Sequence, residues 1–469
     1  MATIREVACD VAVIGAGTAG IAAYRAAGAA GAHAVLIEAG PGGTTCARVG
    51  CMPSKLLITA ATAAYDAGKA ERLGIRVGDI RIDGRAVLAR VRTERDRFVA
   101  GVLENLQPLP AADRIAGRAR FTDGTTLRVD DHTRVRFRAA VIATGSSPNV
   151  PEPLRDLGER VLTTDTLFEI DDLPRSLAVL GGGPVGIEIA QAMARLGVEV
   201  CLFDNGHALA ALSDPDLVAL APSIFGTEMT LHLDTTVASA EAVANGVRLG
   251  WSNTGGRTGE QVFERILAAV GRTPNLRGLG LDEAGLRLDD RGGPRFDPRT
   301  LLCAGGPVLI AGDANAERPV LHEAARQGRI AGRNAAALAA GTGSLEAPEA
   351  WVKLGMVFTH PGTASIGEHY DPDRTVERLV GRADFSHQGR ARIMDRAAGG
   401  LRIYADERGR LVGAEMLGPA AEHLGHILAL AIQEGWTAKA LRDRPFYHPT
   451  LEEALDTALA QIAEAQDMH

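Results

Sequence analysis

Two stretches of the chain share one hydrophobic pattern. Each begins with a short apolar run, continues through a glycine-rich turn and an alanine-rich helical segment, and ends in a second apolar run that is closed by an acidic residue. The first stretch is Val11–Glu38 and the second is Leu177–Asp204. Short apolar runs on either side of a helical period are typical of buried parallel strands joined by a helix. We therefore expect two βαβ units, with further strands at Ala140–Ala143 and Val308–Ala311.

The rest of the pattern indicates how the chain divides into domains. A boundary falls near Gly341–Pro348, and after it strand and helix patterns mix without another glycine-rich turn. We predict an α/β protein with two Rossmann-like dinucleotide-binding domains and a C-terminal α+β domain. The first domain comprises residues 1–148 and 271–345, the second residues 149–270, and the C-terminal domain residues 346–469.

Composition narrows the functional classes. The chain has 469 residues, of which 46% are hydrophobic and 23% charged, as is usual for globular proteins. A net charge of −8 gives no bulk positive field for nucleic acid. No uncharged run reaches the roughly 20 residues of a membrane span, and the N-terminal residues lack a secretory pattern. We expect a cytoplasmic protein without nucleic acid or membrane partners.

The two glycine-rich turns have the spacing of dinucleotide fingerprints, and in both the acid follows the last glycine at the same offset. The first copy has Gly15, Gly17, Gly20 and Glu38, and the second has Gly181, Gly183, Gly186 and Asp204. The first glycine makes a tight turn, the second admits a pyrophosphate, the third packs helix on strand, and the acid binds a ribose diol. One copy alone could be a structural turn, but two copies predict two bound dinucleotides.

Asp204 also bears on which nicotinamide cofactor binds. A carboxylate accepts hydrogen bonds from a free 2′-hydroxyl group, whereas it repels a 2′-phosphate. The residues that follow, Asn205-Gly206-His207, offer no arginine for that phosphate. The second turn is therefore expected to bind NAD rather than NADP, unless a basic side chain reaches it from elsewhere in the fold.

Two of the five cysteines, Cys46 and Cys51, lie close together in the sequence. In a regular helix their Cα atoms would be roughly 7.5 Å apart along the axis, which exceeds the usual disulfide span of about 4.4–6.8 Å. The segment must therefore depart from a regular helix, and Gly50 is placed to permit this. The pair suggests redox chemistry, while buried structural cysteines and half of a zinc site are the alternatives. We predict no metal site.

A histidine near the C-terminus could serve as a base. Pro449 suits the first position of a helix, which would put His448 at a helix start and Glu453 one turn onward. A histidine oriented by a carboxylate meets the need of a thiol–disulfide enzyme for a base near neutral pH. Taken alone, such a histidine is more often a surface or capping residue.

With these pieces in order, the chain resembles the FAD-dependent pyridine nucleotide–disulfide oxidoreductases over nearly its whole length. The matching motifs are the first fingerprint, the Cys46/Cys51 segment, Ala143-Thr144-Gly145, the second fingerprint, Gly271-Arg272-Thr273-Pro274-Asn275, Gly312-Asp313, and His448 with Glu453. The resemblance implies FAD at Gly15, Gly17, Gly20, Glu38, Gly43, Thr45, Lys55, Thr144, Gly145, Gly312 and Asp313. It implies NAD at Gly181, Gly183, Gly186, Asp204 and Gly271.

The resemblance also implies roles that spacing alone does not assign. Cys46 matches the thiol that faces the substrate, and Cys51 matches the thiol that lies against the flavin. Lys55 and Glu188 match an ion pair near the flavin. His448 with Glu453 matches a base supplied by the other subunit, so the resemblance implies a homodimer whose interface is formed by the last domain.

Within the family, the segment Cys46–Lys55 is similar to the redox segment of lipoamide dehydrogenases. This implies that NAD⁺ oxidises a small dithiol, either free or as a lipoyl group on a carrier protein. Mercuric reductases are disfavoured because they would need an additional C-terminal cysteine pair, and glutathione reductases because they usually favour NADPH. Two positions depart from the lipoamide pattern: Thr44 replaces a usual glycine, and Phe446-Tyr447 stands where His-Ala is common. These departures are compatible with a bulkier or different disulfide. The alternatives are an NAD(P)H-dependent reductase of another low-molecular-weight disulfide and a docking subunit of a multienzyme complex.

Overall fold

The computed structural model describes residues 4–375 and 378–467. The outermost residues of the predicted first and last domains, 1–3 and 468–469, lie outside the described residues. Contacts among residues group the chain into two compact units. The first unit contains residues 1–53, 92–148 and 272–350, and the second contains residues 54–91, 149–271 and 351–469. The predicted division into three domains is finer than these two units and stays a prediction.

The strands are short, and most lie in four- or five-stranded sheets. In chain order they are β1 Arg5–Ala8, β2 Val11–Ile14, β3 Ala34–Glu38, β4 Arg114–Ala116, β5 Ala119–Asp123, β6 Thr126–Val129, β7 Thr133–Arg136, β8 Ala139–Ile142, β9 Ser146–Pro148, β10 Val161–Leu162, β11 Ser176–Leu180, β12 Glu199–Phe203, β13 Thr230–His232, β14 Thr235–Val243, β15 Gly246–Asn253, β16 Thr258–Phe263, β17 Arg265–Ala268, β18 Arg272–Pro274, β19 Val308–Ile310, β20 Leu354–Val357, β21 Gly362–Gly367, β22 Leu379–Asp384, β23 Gly400–Ala405 and β24 Leu411–Gly418.

The α-helices connect or cover these sheets. They are α1 Thr18–Ala29, α2 Thr45–Arg48, α3 Cys51–Lys69, α4 Gly84–Glu104, α5 Pro184–Arg195, α6 Pro215–Phe225, α7 Leu321–Ala340, α8 Pro372–Thr375, α9 Gly389–Ile393, α10 Ala421–Gln433, α11 Ala438–Arg442 and α12 Glu453–Asp467. Within the described residues, the helices include none that is long and apolar enough to cross a membrane.

A parallel sheet with the order β4-β3-β2-β8-β19 is the centre of the first unit. Val11 of β2 pairs with Ala34 of β3 on one side and with Ala139 of β8 on the other. Successive side chains of β2 enter two different hydrophobic cores, with Val11 and Val13 on one face and Ala12 and Ile14 on the other. Burial on both faces explains why these strands are apolar throughout, without alternation. The predicted strands of the first βαβ unit are thus confirmed.

The second unit repeats this design with the parallel sheet β10-β17-β11-β12-β13. The register Ser176↔Glu199 brings the ends of β11 and β12 to one edge. The antiparallel strands β14, β15 and β16 form a separate three-stranded sheet. The second predicted βαβ unit is confirmed, with its helix from Pro184 to Arg195.

The C-terminal part of the second unit contains the antiparallel sheet β20-β21-β24-β23-β22. The helices α10, α11 and α12 contribute to the same core as this sheet. This mixed arrangement is the predicted α+β region.

Candidate functional site

The first glycine-rich turn, between β2 and α1, has the geometry of a phosphate cradle. Gly15 has φ +104°, and a Cβ atom at this position would lie 2.3 Å from the carbonyl oxygen of Ala143. A Cβ at Gly20 would lie 1.7 Å from the oxygen of Gly15, so neither position accepts a side chain. At Gly17, by contrast, no atom of the described chain lies within 4 Å of such a Cβ. The open space at Gly17 faces the start of α1, where backbone N–H groups bind anions.

The second turn, between β11 and α5, has the same geometry. Gly181 has φ +108°, and its Cβ would lie 2.5 Å from the oxygen of Ala269. A Cβ at Gly186 would lie 1.8 Å from the oxygen of Gly181. Around Gly183 the space is again open within 4 Å, as far as the described residues extend. Gly271 lies beyond Ala269 on this edge, and its carbonyl oxygen accepts a hydrogen bond from the backbone N–H of Asn149 at 3.0 Å.

The two terminal acids make matching hydrogen bonds to the turns. Glu38 accepts from the N–H groups of Ala16 at 2.6 Å and Gly40 at 2.7 Å. Asp204 accepts from the N–H groups of Gly182 at 2.5 Å and Gly206 at 2.7 Å. In both copies one carboxylate oxygen bonds to the second residue of the fingerprint and the other to the residue two positions after the acid. Each acid is thereby fixed at the mouth of its turn, where a ribose would lie.

A cluster of polar residues stands at the edge of the first unit's parallel sheet. The hydroxyl of Ser146 donates to Asp313 at 2.8 Å, and Arg272 donates to the same hydroxyl oxygen at 2.8 Å. We call Ser146, Arg272 and Asp313 the polar cluster. Gly312, at the start of this segment, donates its N–H to Gln327 at 2.8 Å. The predicted FAD residue Asp313 is thus tied to the strand that follows Gly145, whereas Gly312 is tied to α7.

The neighbouring Thr144 indicates whether this edge of the first unit's parallel sheet fits a cofactor. Its side-chain oxygen is buried and has no hydrogen-bond partner among the described residues. A buried hydroxyl without a partner is costly, and a bound group commonly supplies the missing bond. Together with the open cradle at Gly17, this orphaned atom shows that the residues present fit FAD.

The redox segment contains a helix break between its cysteines, as predicted. Cys46 lies in the short helix α2 and is half-buried, while Cys51 is exposed and begins α3. The helix α2 ends at Arg48 and α3 begins at Cys51, and between them Gly50 is so close to Cys46 that a Cβ would lie 3.4 Å from its Cα. Gly43 and Thr45 flank the residue Thr44 at the entrance to this segment.

Thr44 is in an unusual conformation for a β-branched residue. Its φ is +59°, a region that favours glycine. Its hydroxyl accepts a hydrogen bond from the N–H of Ala47 at 3.2 Å and so caps α2. The departure from glycine at this position therefore combines backbone strain with a helix cap.

A pocket of about 410 Å³ in the first unit includes Cys46 in its lining. Much of its wall is apolar, with Ile21 of α1, Met52 of α3 and Phe98 of α4. Arg25 adds a positive charge, and its guanidinium donates to the carbonyl oxygen of Asn105 at 2.9 Å. Cys46 therefore lies in the wall of a cavity that has room for a small molecule.

Lys55 and Glu188, both in the second unit, form the predicted ion pair at 2.8 Å. The other oxygen of Glu188 accepts from the N–H of Phe358 at 2.7 Å, and the Lys55 ammonium lies 4.5 Å from the centre of the Phe358 ring. Glu188 is buried, with 6% of its side chain exposed, so the lysine and the amide compensate its charge. The sequence analysis missed Phe358, because nothing in its local sequence points to Glu188.

His448 and Glu453 also lie together, with Nδ1 of the histidine 2.8 Å from the carboxylate. The hydrogen bond from His448, with a second from the N–H of Thr450, lowers the pKa of Glu453. The expectation that Pro449 occupies the first helical position is wrong, because α12 begins only at Glu453. The carboxylate bonds back to Thr450 at 3.0 Å and holds the preceding residues in turns.

The other three cysteines are buried. Burial raises the pKa of Cys9 and of Cys303 to about 12, and it also raises the pKa of Cys201. These thiols stay protonated at neutral pH and are poor nucleophiles. The contrast with Cys46 and Cys51 favours redox chemistry over a structural role for the close pair.

Two family models match the chain. The one described as pyridine nucleotide-disulphide oxidoreductase matches residues 9–328. The one described as the dimerisation domain of the same group matches residues 354–459.

Among known proteins, a dihydrolipoyl dehydrogenase from Haloferax volcanii is 31% identical over 98% of this chain and 97% of that protein. A mercuric reductase from Shigella flexneri is 33% identical over 96% of this chain and 80% of that protein. Among solved structures, the HOCl-induced flavoprotein disulfide reductase RclA from Escherichia coli superposes with a TM-score of 0.82 at 23% identity, covering 96% of this chain and 99% of that one. The last likeness shows the fold.

Proposed function

The chain belongs to the pyridine nucleotide–disulphide oxidoreductase family, and from that premise we propose that Cys46 and Cys51 oxidise a small dithiol with NAD⁺ as the final acceptor. The chain is a flavin-dependent disulfide oxidoreductase. The observation that carries the finer proposal is the pocket beside Cys46, because it gives a substrate access to one thiol of a pair divided by a helix break.

The exchange begins with the pair as a disulfide. A substrate thiolate attacks Sγ of Cys46, the Cys46–Cys51 bond breaks, and Cys51 leaves as a thiolate. The second substrate thiol then attacks the substrate sulfur of the mixed disulfide and releases the Cys46 thiolate. The substrate leaves as a disulfide, two electrons remain on the cysteine pair, and two protons are released.

Bound FAD supplies the two-electron transfer between the thiol pair and the nicotinamide. The chain would hold FAD at the first turn through Gly17, Glu38, Thr144 and Asp313, and NAD at the second turn through Gly183 and Asp204. The buried pair of Lys55 and Glu188 would stand near the flavin, as the family resemblance implies. These assignments rest on the two open cradles and on the orphaned hydroxyl of Thr144.

His448 would accept the proton of the attacking substrate thiol. Glu453 holds Nδ1 of the imidazole, which leaves Nε2 to take the proton. We place this histidine at the Cys46 pocket of the partner subunit in a homodimer. The match of residues 354–459 to a dimerisation domain supports the homodimer, and exposure of the His448 side chain at 80% agrees with a group that acts on another subunit.

The proposed substrate is a dihydrolipoyl group, free or on a carrier protein. The aliphatic lining at Ile21 and Met52 suits a hydrocarbon arm. Similarity to the Haloferax volcanii dihydrolipoyl dehydrogenase over nearly both full lengths supports the same choice. A second candidate is NAD(P)H-driven reduction of a small anionic disulfide, which Arg25 favours because a guanidinium binds carboxylates.

The test is anaerobic titration of the flavoprotein with NADH and, separately, with dihydrolipoamide, following the long-wavelength thiolate–flavin absorbance. We expect the band with both reductants, and NAD⁺-dependent dihydrolipoamide turnover that falls at least about 1,000-fold in Cys46→Ser. Cys201→Ala is the matched control, because this thiol is buried and does not line the pocket, so its loss should leave turnover intact. A band with NADH alone would move the substrate to another disulfide, and absence of the band with either reductant would refute the Cys46–Cys51 relay.

A further inference from the structure

Glu415, on strand β24, is a fully buried carboxylate in the C-terminal sheet. Its oxygens accept from the backbone N–H groups of Ser213 at 2.7 Å, Asp214 at 3.1 Å and Tyr370 at 3.2 Å. The hydroxyl of Ser213 also bonds to it. Burial alone raises the pKa of Glu415, but His369, whose Nδ1 lies 3.8 Å away, and hydrogen bonds from Ser213 and Asp214 outweigh it and hold the pKa at about 2. The carboxylate is therefore charged at neutral pH, and its donors compensate that charge.

Two of the residues that bond to Glu415, Ser213 and Asp214, form the end of the segment that follows β12 and Asp204. Asp214 caps α6 by accepting from the N–H of Leu217 at 3.3 Å. Its other oxygen accepts from the hydroxyl of Tyr404 at 2.9 Å. Arg402 of β23, which pairs with Glu415 across the sheet, donates to Asp216 at 2.9 Å. The start of α6 is thus fixed to the C-terminal sheet by charged and polar groups.

The segment between Asp204 and Asp214 presses against the glycine turn. The N–H of Ala210 donates to the carbonyl oxygen of Gly182 at 2.8 Å, and the side chain of Leu209 is fully buried. Ala210 and Ala211 have φ +57° and +60°, a conformation unfavourable for alanine. Two such residues in succession persist only when the surrounding structure holds them. Here Asp204 bonds to Gly206 at the start of the segment, and Glu415 bonds to Ser213 and Asp214 at its end.

We propose that Glu415 is a positioning residue for the dinucleotide of the second turn. By holding Ser213 and Asp214, it keeps Ala210 bonded to Gly182, and Gly182 in turn bonds to Asp204. A carboxylate of the C-terminal sheet thereby sets the affinity of a site that it does not touch. The inference rests on the proposed function only in taking NAD(H) as the occupant of that turn.

The test compares Glu415→Gln with the wild-type holoenzyme. The amide offers one acceptor oxygen in place of two and no charge, so the segment loosens. We expect the Kd of NAD⁺ for the oxidised holoenzyme, measured by calorimetry, to rise about tenfold, as for loss of one hydrogen bond to a charged group. The rate of flavin reduction by dihydrolipoamide without NAD⁺, and the FAD content, should stay unchanged. Glu422→Gln is the matched control, because Glu422 is a half-exposed acid of α10 and its neutralisation should leave the Kd of NAD⁺ at the wild-type value.

Ser213→Ala is a second variant that keeps the backbone donors and removes only the hydroxyl. It should also raise the Kd of NAD⁺, by a smaller factor than Glu415→Gln. If Glu415→Gln does not fold, Ser213→Ala alone tests the positioning role. A wild-type Kd in the folded variants, with only a lower melting temperature, would overturn the positioning role. Failure of the wild-type protein to bind NAD⁺ would instead refute the proposed function itself.

Discussion

The two glycine-rich turns have nearly identical backbones but different exposure. A side chain at Gly20 or Gly186 would meet the carbonyl oxygen of the first glycine at 1.7 or 1.8 Å, and the space at Gly17 and Gly183 is open in both. The second residue of the following helix differs, since Ala19 in α1 is 6% exposed and Val185 in α5 is 41% exposed. The cradle is open in both copies, but the residue next to it is buried in the first copy and exposed in the second.

The opposite edge of each turn shows the same contrast. The first turn faces the orphaned hydroxyl of Thr144 and the polar cluster next to it. The second faces Ala269 and Val270, and Val270 is 41% exposed. A buried flank with an unsatisfied hydroxyl suits a resident cofactor, whereas an exposed apolar flank suits a cofactor that exchanges in every cycle. The comparison teaches that flanking residues, not the fingerprint, separate the roles proposed for FAD and NAD(H).

The largest effect is expected from filling the third glycine. Gly20→Ala places a Cβ on a backbone oxygen that cannot move without opening the turn, so the purified protein should contain no FAD. Gly186→Ala should keep FAD and flavin reduction by dihydrolipoamide but lose detectable NADH oxidation. Flavin absorbance and the two half-reactions measure this split.

Gly28→Ala is the control on the same helix as Gly20. No described atom lies within 4 Å of a Cβ there, and alanine stabilises a helix by roughly 0.5–1 kcal/mol relative to glycine. It should retain both cofactor activities with an equal or higher melting temperature. Loss of FAD from Gly186→Ala would contradict the separate roles of the two turns.

An intermediate effect is expected from neutralising the acids. Asp204→Asn removes the charged acceptor for the ribose and should raise the KM for NAD⁺ roughly 10- to 100-fold. It should also reduce the preference for NAD⁺ over NADP⁺, because the variant lacks the negative charge that repels the 2′-phosphate of NADP⁺. Steady-state kinetics with both nucleotides measure these changes. Glu38→Gln is the corresponding variant of the first turn. It should weaken FAD retention and leave the KM for NAD⁺ unchanged. A changed KM for NAD⁺ in Glu38→Gln would contradict the separate roles of the two turns.

The smallest effect is expected at Thr144, and its sign should depend on the cofactor. Thr144→Val removes a buried hydroxyl that lacks a partner among the described residues. In protein stripped of FAD the melting temperature should rise or stay constant, because an unsatisfied group is gone. In the holoenzyme the affinity for FAD should fall roughly two- to tenfold, because the hydroxyl has lost its proposed partner. A fall of the melting temperature in the stripped protein would argue against an orphaned hydroxyl.

The turns and their strands could be predicted because their causes are local. The clash that excludes a side chain at Gly20 comes from Gly15, five residues before it in the sequence. The uninterrupted apolar character of Val11–Ile14 predicts burial on both faces without knowledge of the neighbouring strands. The helix break between Cys46 and Cys51 likewise follows from the spacing of the pair.

The remaining features depend on distant partners. Ser146 and Asp313 are 167 residues apart, and Phe358 and Glu188 are 170 apart, so no local pattern links them. The pairing of Lys55 with Glu188 was expected only through the family resemblance. At Pro449 the local preference of proline for a helix start gave a wrong prediction. The carboxylate of Glu453 accepts a hydrogen bond from Thr450 in the preceding turn, and α12 begins only at Glu453.

The burial of Cys9, Cys201 and Cys303 makes the protein selective in chemical labelling. Their raised pKa values keep them as thiols in conditions where an alkylating fluorophore needs a thiolate. In the reduced native protein such a reagent would attach within the Cys46–Cys51 segment, where Cys46 is half-buried and Cys51 is exposed. A dye could therefore be placed at the chemical centre of the molecule without engineering a single cysteine away.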